Sequence, residues 1–286
     1  IIGVVKGNGY GFGICELTKI LLKHDINKFA VTETQDIPIL RQIIKTQDIL
    51  IMRSTCIKEE CEIIAKNNAI ACIGSLDAAQ TMNEVAKELN IKVKCNLKID
   101  TGMGRYGFLP SEISKAVKCY EYENLEFVGA YTHFPNAFIN NGSTKAQLEV
   151  FKDTMKKISE QVGDVGTLHC ANSPALFNFD DVSLDAVRIG SAFTGRIIAY
   201  KKTGLNRLGS LQAQIVDTKI VPKGYPISYG GIYTTKRDTK IAVIPFGHCD
   251  GFGLAEDEEE YNFASVIHVI KKFLKKTHLY VTVNGK

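Results

Sequence analysis

The 286-residue chain is long enough for about two domains, and its 45% hydrophobic and 23% charged residues exclude a disordered, collagen-like or coiled-coil protein. The 35 Lys and Arg against 31 Asp and Glu leave +4, too small a surplus for a nucleic-acid-binding or polybasic membrane surface. No run approaches the ~18 to 20 apolar residues of a membrane span, and 8 scattered cysteines with no C-x-x-C pair exclude structural zinc and predict buried thiols in a reducing cytoplasm.

The chain opens at Ile1, without Met, inside the apolar run Ile1-Ile2-Gly3-Val4-Val5, which predicts that further residues precede it and leaves a targeting segment open. β-rich runs follow at 1–5, 28–32, 48–52, 69–73, 91–99, 125–131, 165–169 and 185–189, with helical stretches between them. One such stretch, 75–89, begins with a Ser cap and carries Leu76, Ala79, Met82, Val85, Ala86 and Leu89 on one face. Strand followed by helix, repeated eight times, predicts a (β/α)8 barrel over 1–208. The competing open, doubly wound sheet binds its ligand at one switch point, whereas here polar residues recur after many strands.

From 209 to 286 the pattern becomes a smaller, β-rich domain, with strand-like runs at 211–221, 227–235 and 240–245 and no long helix between them. The acidic run 256–260 reads as a solvated loop and 265–276 as a basic amphipathic helix. The final stretch ends on Asn284-Gly285, a turn signal with no returning strand, which predicts an incomplete domain.

In a parallel barrel, side chains at the carboxyl ends of the strands converge on one mouth. Strand one leads to Lys6, strand five to Lys98, Asp100 and Arg105, strand six to His133, strand seven through His169 to Asn172 and Ser173, and strand eight to Arg188, Gly190 and Ser191. No acidic cluster suits a metal. Gly7, Gly9, Gly11 and Gly13 give neither a dinucleotide fingerprint, because Phe12, Ile14 and Glu16 occupy the sixth positions, nor a P-loop.

A strand-end lysine before small residues suits a cofactor aldehyde, since partial desolvation lowers an amine's pKa and favours a Schiff base. Small residues after strands seven and eight suit a phosphate, with Ser173 as helix cap and Pro174 at the first helical position. Together these suggest pyridoxal phosphate. Taken singly, the commoner fates are a surface lysine for Lys6, a structural ion pair for Arg188, and backbone-bonded core histidines for His133 and His169.

Six segments, in order, resemble the alanine racemase family of pyridoxal phosphate enzymes. They are Val4-Val5-Lys6-Gly7-Asn8-Gly9-Tyr10-Gly11, in which glycines stand where alanines are usual; Lys98-Ile99-Asp100-Thr101-Gly102-Met103-Gly104-Arg105-Tyr106-Gly107; and Tyr131-Thr132-His133-Phe134 with His169-Cys170-Ala171-Asn172-Ser173. Val187-Arg188-Ile189-Gly190 and Ser228-Tyr229-Gly230-Gly231-Ile232-Tyr233-Thr234 follow. Ile244-Pro245-Phe246-Gly247-His248-Cys249-Asp250-Gly251 also fits, with His248 at a usual tyrosine position.

The resemblance implies a barrel plus a C-terminal β-domain, and a cytoplasmic homodimer that interconverts L- and D-alanine for cell-wall (peptidoglycan) synthesis. Lys6 would carry the cofactor and act as one base, with Tyr229, reaching across the dimer interface, as the second. Tyr10, Ser173, Gly190 and Ser191 would hold the phosphate, His133 would lie beside the ring and Arg188 would meet the pyridine nitrogen. Arg105 would bind the phenolic oxygen and the substrate carboxylate, with a carbamylated Lys98 orienting it. Asn172 would support the site, and His248 would alter the wall near its entrance. The alternatives are a racemase of broader specificity, a decarboxylase of the same fold, which Arg188 opposes because such enzymes place an acid at the ring nitrogen, and a non-catalytic pyridoxal phosphate carrier, which the β-domain opposes.

Overall fold

The computed structural model describes residues 1–139, 142–200, 202–209, 212–231, 233–247 and 250. They belong to two compact units, Ile1–Gly209 and Ser210–Lys286.

The first unit is an eight-stranded parallel barrel. Its strands are β1 (Ile2–Val4), β2 (Lys28–Val31), β3 (Asp48–Ser54), β4 (Ile70–Ile73), β5 (Val93–Lys98), β6 (Leu125–Tyr131), β7 (Thr167–His169) and β8 (Arg188–Ile189). They hydrogen-bond in the order β7-β6-β5-β4-β3-β2-β1-β8. The circle closes where β1 pairs with β8, Ile2 opposite Arg188, and where His169 and Ala186 form a parallel bridge. Closure shortens the last strand: of the run 185–189 only Arg188–Ile189 has a regular ladder, while the Asp185 carboxylate and N–H bind the Leu168 N–H and carbonyl.

Alternation along the strands divides the apolar side chains into two groups. Ile2, Val4, Ala30, Leu50 and Ile70 form a small cluster of their own, whereas Phe29, Val31, Ile49, Ile51 and Ile73 join the large core shared with the helices. Burial on both faces explains why these strands read as continuous hydrophobic runs, and each fully buried Phe or Ile contributes about 1.5–3 kcal/mol. The helix Leu76–Glu88 shows how the outer layer docks: Ser75 caps it by accepting from the Ala78 N–H (3.1 Å), and Ala78, Ala79, Met82, Val85 and Ala86 are its buried face.

The second unit contains β9 (Asp217–Val221) paired antiparallel with β12 (Thr239–Val243), and a short hairpin of β10 (Pro226–Ile227) and β11 (Tyr233–Thr234). The expected single strand 227–235 is thus two strands and a turn. Ser228, Gly230 and Gly231 all have positive φ (61°, 74° and 57°), which no strand accommodates, and Tyr229 sits among them. Within 211–221 the ladder begins only at Asp217. The acidic run, the amphipathic helix and the terminal turn expected after residue 251 lie outside the described residues. Among the described residues, no helix is long and apolar enough to cross a membrane, no group of metal-binding side chains assembles, and the seven cysteines are free thiols.

Candidate active site

Lys6 follows β1 at the barrel mouth, half-buried. Burial first, and the Arg105 charge second, push its ammonium pKa below the ordinary lysine value. The chain then turns through four consecutive left-handed residues, Gly7, Asn8, Gly9 and Tyr10 (φ 60°, 51°, 64° and 55°), with Gly11 continuing at 87°. Such a turn costs an ordinary L-residue roughly 1–2 kcal/mol per position, so the glycines at 7 and 9 relieve it where the backbone demands it. The Asn8 side chain accepts from the Ile14 N–H (3.0 Å) at the start of the helix Ile14–Lys23, which fixes the turn to the next element.

The turn brings Tyr10 onto the Gly190–Ser191 backbone. Its ring lies so close to Gly190 that a Cβ there would overlap the phenol, and the Ser191 N–H hydrogen-bonds the phenol oxygen, opposing the rise in pKa that burial causes. Ser173 Oγ accepts from the N–H groups of Gly190 (3.1 Å) and Ala192 (3.4 Å). Two hydroxyls and successive backbone N–H groups therefore meet at the entry to the 3-10 turn Ser191–Thr194, the donor set an anion requires.

Ser173 is not the helix cap. Asn172 takes that position, accepting from the Ala175 N–H (3.1 Å) while its amide donates to the Phe134 carbonyl (3.0 Å). Because Asn172 satisfies the helix end, the Ser173 hydroxyl is released toward Gly190.

Arg188 is only 3% exposed and has no carboxylate partner among the described residues, so the structural ion pair is not its role. Nη1 donates to His169 Nδ1 (2.6 Å) and to the His169 carbonyl (3.0 Å), and Nη2 donates to the carbonyls of Thr132 (2.7 Å) and Cys170 (3.0 Å). A guanidinium has five N–H donors. Nη2 also lies 3.5 Å from His133 Nδ1, and none of these contacts uses Nε–H. Burial lowers the Arg188 pKa, yet a guanidinium stays protonated.

Lys98 ends β5, buried, with Nζ 4.0 Å from the centre of the Tyr131 ring. Burial first and the Arg188 charge second bring its pKa down to about 7. Burial pushes the neighbouring Asp100 carboxyl up, but hydrogen bonds from the N–H groups of Gly102, Gly104, Met103 and Arg105 outweigh it and hold the group below the usual range. Asp100 thereby organises the loop that carries Arg105. His133 is neutral: burial first, then the charges of Arg188, Lys98, Arg105 and Lys6, lower its pKa to about 2.

The barrel thus brings Lys6, Lys98, Arg105, His133 and Arg188 within electrostatic reach of one another, beside the cradle of Tyr10, Ser173, Gly190 and Ser191. Tyr229 lies in the second unit, 98% exposed on it, and His248 lies outside the described residues. Asp100 and Tyr131 stand at strand ends and within the segments of the family resemblance, but the sequence assigns neither a role, and the carbonyls around Arg188 have no sequence signal at all.

The donor set fits pyridoxal phosphate. An anion cradle, a lysine with lowered pKa, a neutral imidazole and a guanidinium with one N–H remaining are the groups that a phosphate, an aldehyde, a ring face and a ring nitrogen need.

Residues 1–197 match the model of the alanine racemase N-terminal domain and 208–266 that of its C-terminal domain. The alanine racemase of Methanococcus maripaludis is 32% identical over 259 residues, covering 88% of this chain and 69% of the relative, and that of Carboxydothermus hydrogenoformans is 33% identical over 258 residues, covering 87% and 69%. The solved alanine racemase of Clostridium difficile 630 superimposes with a TM-score of 0.76 at 32% identity, covering 88% of this chain and 67% of that one. The structure from Bartonella henselae, described with covalently bound pyridoxal phosphate, gives 0.76 at 25% identity, covering 87% and 69%. With both domain models matched in order and relatives above 30% identity over most of its length, the chain belongs to the alanine racemase family.

Proposed function

We propose that this protein is a pyridoxal phosphate-dependent isomerase that interconverts L- and D-alanine, and that Lys6 and Tyr229 are its two bases. The observation that carries this reading is the convergence, at one barrel mouth, of a lysine with lowered pKa, a guanidinium with Nε–H uncommitted, and an anion cradle. Racemisation removes a proton from one face of Cα and returns one to the other, so two acid–base groups must flank it. When bound, pyridoxal phosphate supplies an electron-poor ring that stabilises negative charge developing at Cα.

The residues of the chain perform the remaining work. Tyr10, Ser173, Gly190 and Ser191 would hold the phosphate, and His133 would lie beside the ring as a neutral imidazole. Arg188 would meet the ring nitrogen and, being permanently charged, would keep it from gaining a proton. That limits the ring's electron demand and favours racemisation over transamination. Arg105 would bind the substrate carboxylate, and burial first and the Arg105 charge second lower the Lys6 pKa, so the amine at Nζ holds and releases a proton more readily than an ordinary lysine. Lys98, with a pKa near 7, is a nucleophile for carbon dioxide; its carbamate would orient Arg105.

Tyr229, almost fully exposed on its own unit, is free to enter the mouth of a partner's barrel, which supports a homodimer with shared sites. The 1–208 barrel would then hold the cofactor while the 209–286 domain supplies the second base. A cytoplasmic location and a supply of D-alanine to cell-wall synthesis follow from the same reading. Asn172, as the helix cap, sets Ser173.

The full-length protein reconstituted with pyridoxal phosphate should form D-alanine from L-alanine, and borohydride reduction should leave the pyridoxyl group on Lys6. Label on another lysine, or carbon dioxide in place of D-product, would overturn the reading.

A further inference from the structure

We infer that Asn96, a residue remote from the barrel mouth, is a positioning residue for Arg188, acting through the tautomer and in-plane rotation of His169. Arg188 Nη1 lies 2.6 Å from His169 Nδ1, and a guanidinium can only donate, so Nδ1 carries a lone pair and no proton. Burial first, then the charges of Arg188, Lys98 and Lys28, hold the imidazole neutral. The single ring proton is therefore on Nε2. That atom lies 2.9 Å from the amide of Asn96, and as a donor it needs the amide oxygen opposite. With the amide nitrogen directed at the ring, two donors would face each other and Oδ1 would be a buried acceptor without a partner. Turning the amide by 180° gives the oxygen its donor. Nε2–H of His169 donates to Oδ1 of Asn96, and Nδ1 accepts from Arg188.

The packing around this chain of contacts leaves the ring only that setting. Its plane is fixed by stacking on Tyr131 (centroids 5.0 Å apart, 7° between planes), and Tyr131 is itself held by a hydrogen bond from its hydroxyl to the Met52 carbonyl (2.7 Å). Stacking does not fix rotation within the plane; a bond at each nitrogen does. The path from β5 to β7 is open because the residue between them on β6 is Gly129, where a Cβ would lie 3.1 Å from the Asn96 amide. Asn96 and His169 are 5% and 1% exposed, side by side on the wall of a cavity of about 200 Å³. The neutral oxygen of Asn96 thus keeps the lone pair of His169 toward Arg188, where it accepts from Nη1 and helps to hold the guanidinium in place.

The inference about Arg188 rests on the proposed function, but the tautomer does not, and the experiment separates them. In full-length holoprotein with 15N-labelled histidine rings, the His169 signals, assigned by their loss in His169→Phe, should show a protonated Nε2 and an unprotonated Nδ1. Asn96→Leu, of similar volume but with no acceptor, should shift the Nε2–H resonance, change the absorbance of bound cofactor and lower kcat about ten-fold with little change in KM. A protonated Nδ1 in the unaltered protein overturns the proposal. So does an Asn96→Leu protein that folds and leaves the His169 resonances, the absorbance and kcat unchanged. If Asn96→Leu does not fold, the tautomer in the unaltered protein alone decides. If the protein proves inactive on amino acids, the proposed function fails while the His169 measurement still stands.

Discussion

Tyr10 lies across Gly190 so closely that a β-carbon on Gly190 would overlap the phenol oxygen. Gly190→Ala should therefore displace Tyr10 from the anion cradle while the barrel stays folded. A lost hydrogen bond to a charged group costs about 1.5–3 kcal/mol, so affinity for pyridoxal phosphate should fall roughly ten- to a hundred-fold. Equilibrium dialysis with circular dichroism as the folding control checks this, and undiminished affinity would show that Tyr10 does not reach the phosphate.

Lys98 should be the residue whose titration is visible near neutral pH. Its folded pKa of about 7 lies below the ordinary 10.5. Between those values the unfolded chain holds the extra proton, so stability should rise with pH across the window. In buffer free of carbon dioxide, Lys98→Met should flatten that rise, as urea unfolding at several pH values would reveal. With 13C-bicarbonate present, the neutral amine should add carbon dioxide and release a proton, giving a carbamate resonance that weakens as pH falls below about 7 and is absent from Lys98→Met.

The left-handed turn after Lys6 should make Gly7→Ala costly without any clash. No atom lies within 4 Å of a Cβ at position 7, but φ is +60°, so unfolding free energy should fall by about 1–2 kcal/mol. Gly9→Ala should cost more, because its Cβ would also press on the Ile14 backbone N at 3.2 Å and Leu17 Cβ at 3.3 Å. Equal losses at the two positions would contradict this account.

If Lys6 and Tyr229 serve one site from opposite subunits, losing either should cost about 10²- to 10⁴-fold in rate. Mixing full-length Lys6→Ala and Tyr229→Phe proteins under conditions of subunit exchange should then restore activity. Random pairing makes half the dimers mixed, and one site in each is intact, so recovery should approach roughly a quarter of all sites. An inert mixture with verified exchange would assign Tyr229 to its own subunit.

The barrel was legible in the sequence because alternation and helical periodicity are local properties: strands 28–32 and 125–131 are found as β2 and β6 within a residue of their ends. Lys6, His133 and Arg188 could be placed at one mouth because strand direction alone brings carboxyl ends together. Local pattern failed where backbone conformation is set by neighbours or by left-handed residues, as in 227–235, which Ser228, Gly230 and Gly231 turn into a hairpin. It failed also where a side chain's partner lies far along the chain. Only the closed barrel sets Asn172 rather than Ser173 as the helix cap, surrounds Arg188 with carbonyls in place of a carboxylate, and aligns Asn96, His169 and Arg188 past Gly129. Those contacts depend on inter-strand register and on burial, which strip water from each polar atom and leave one partner within reach, and no run of residues in one strand encodes that choice.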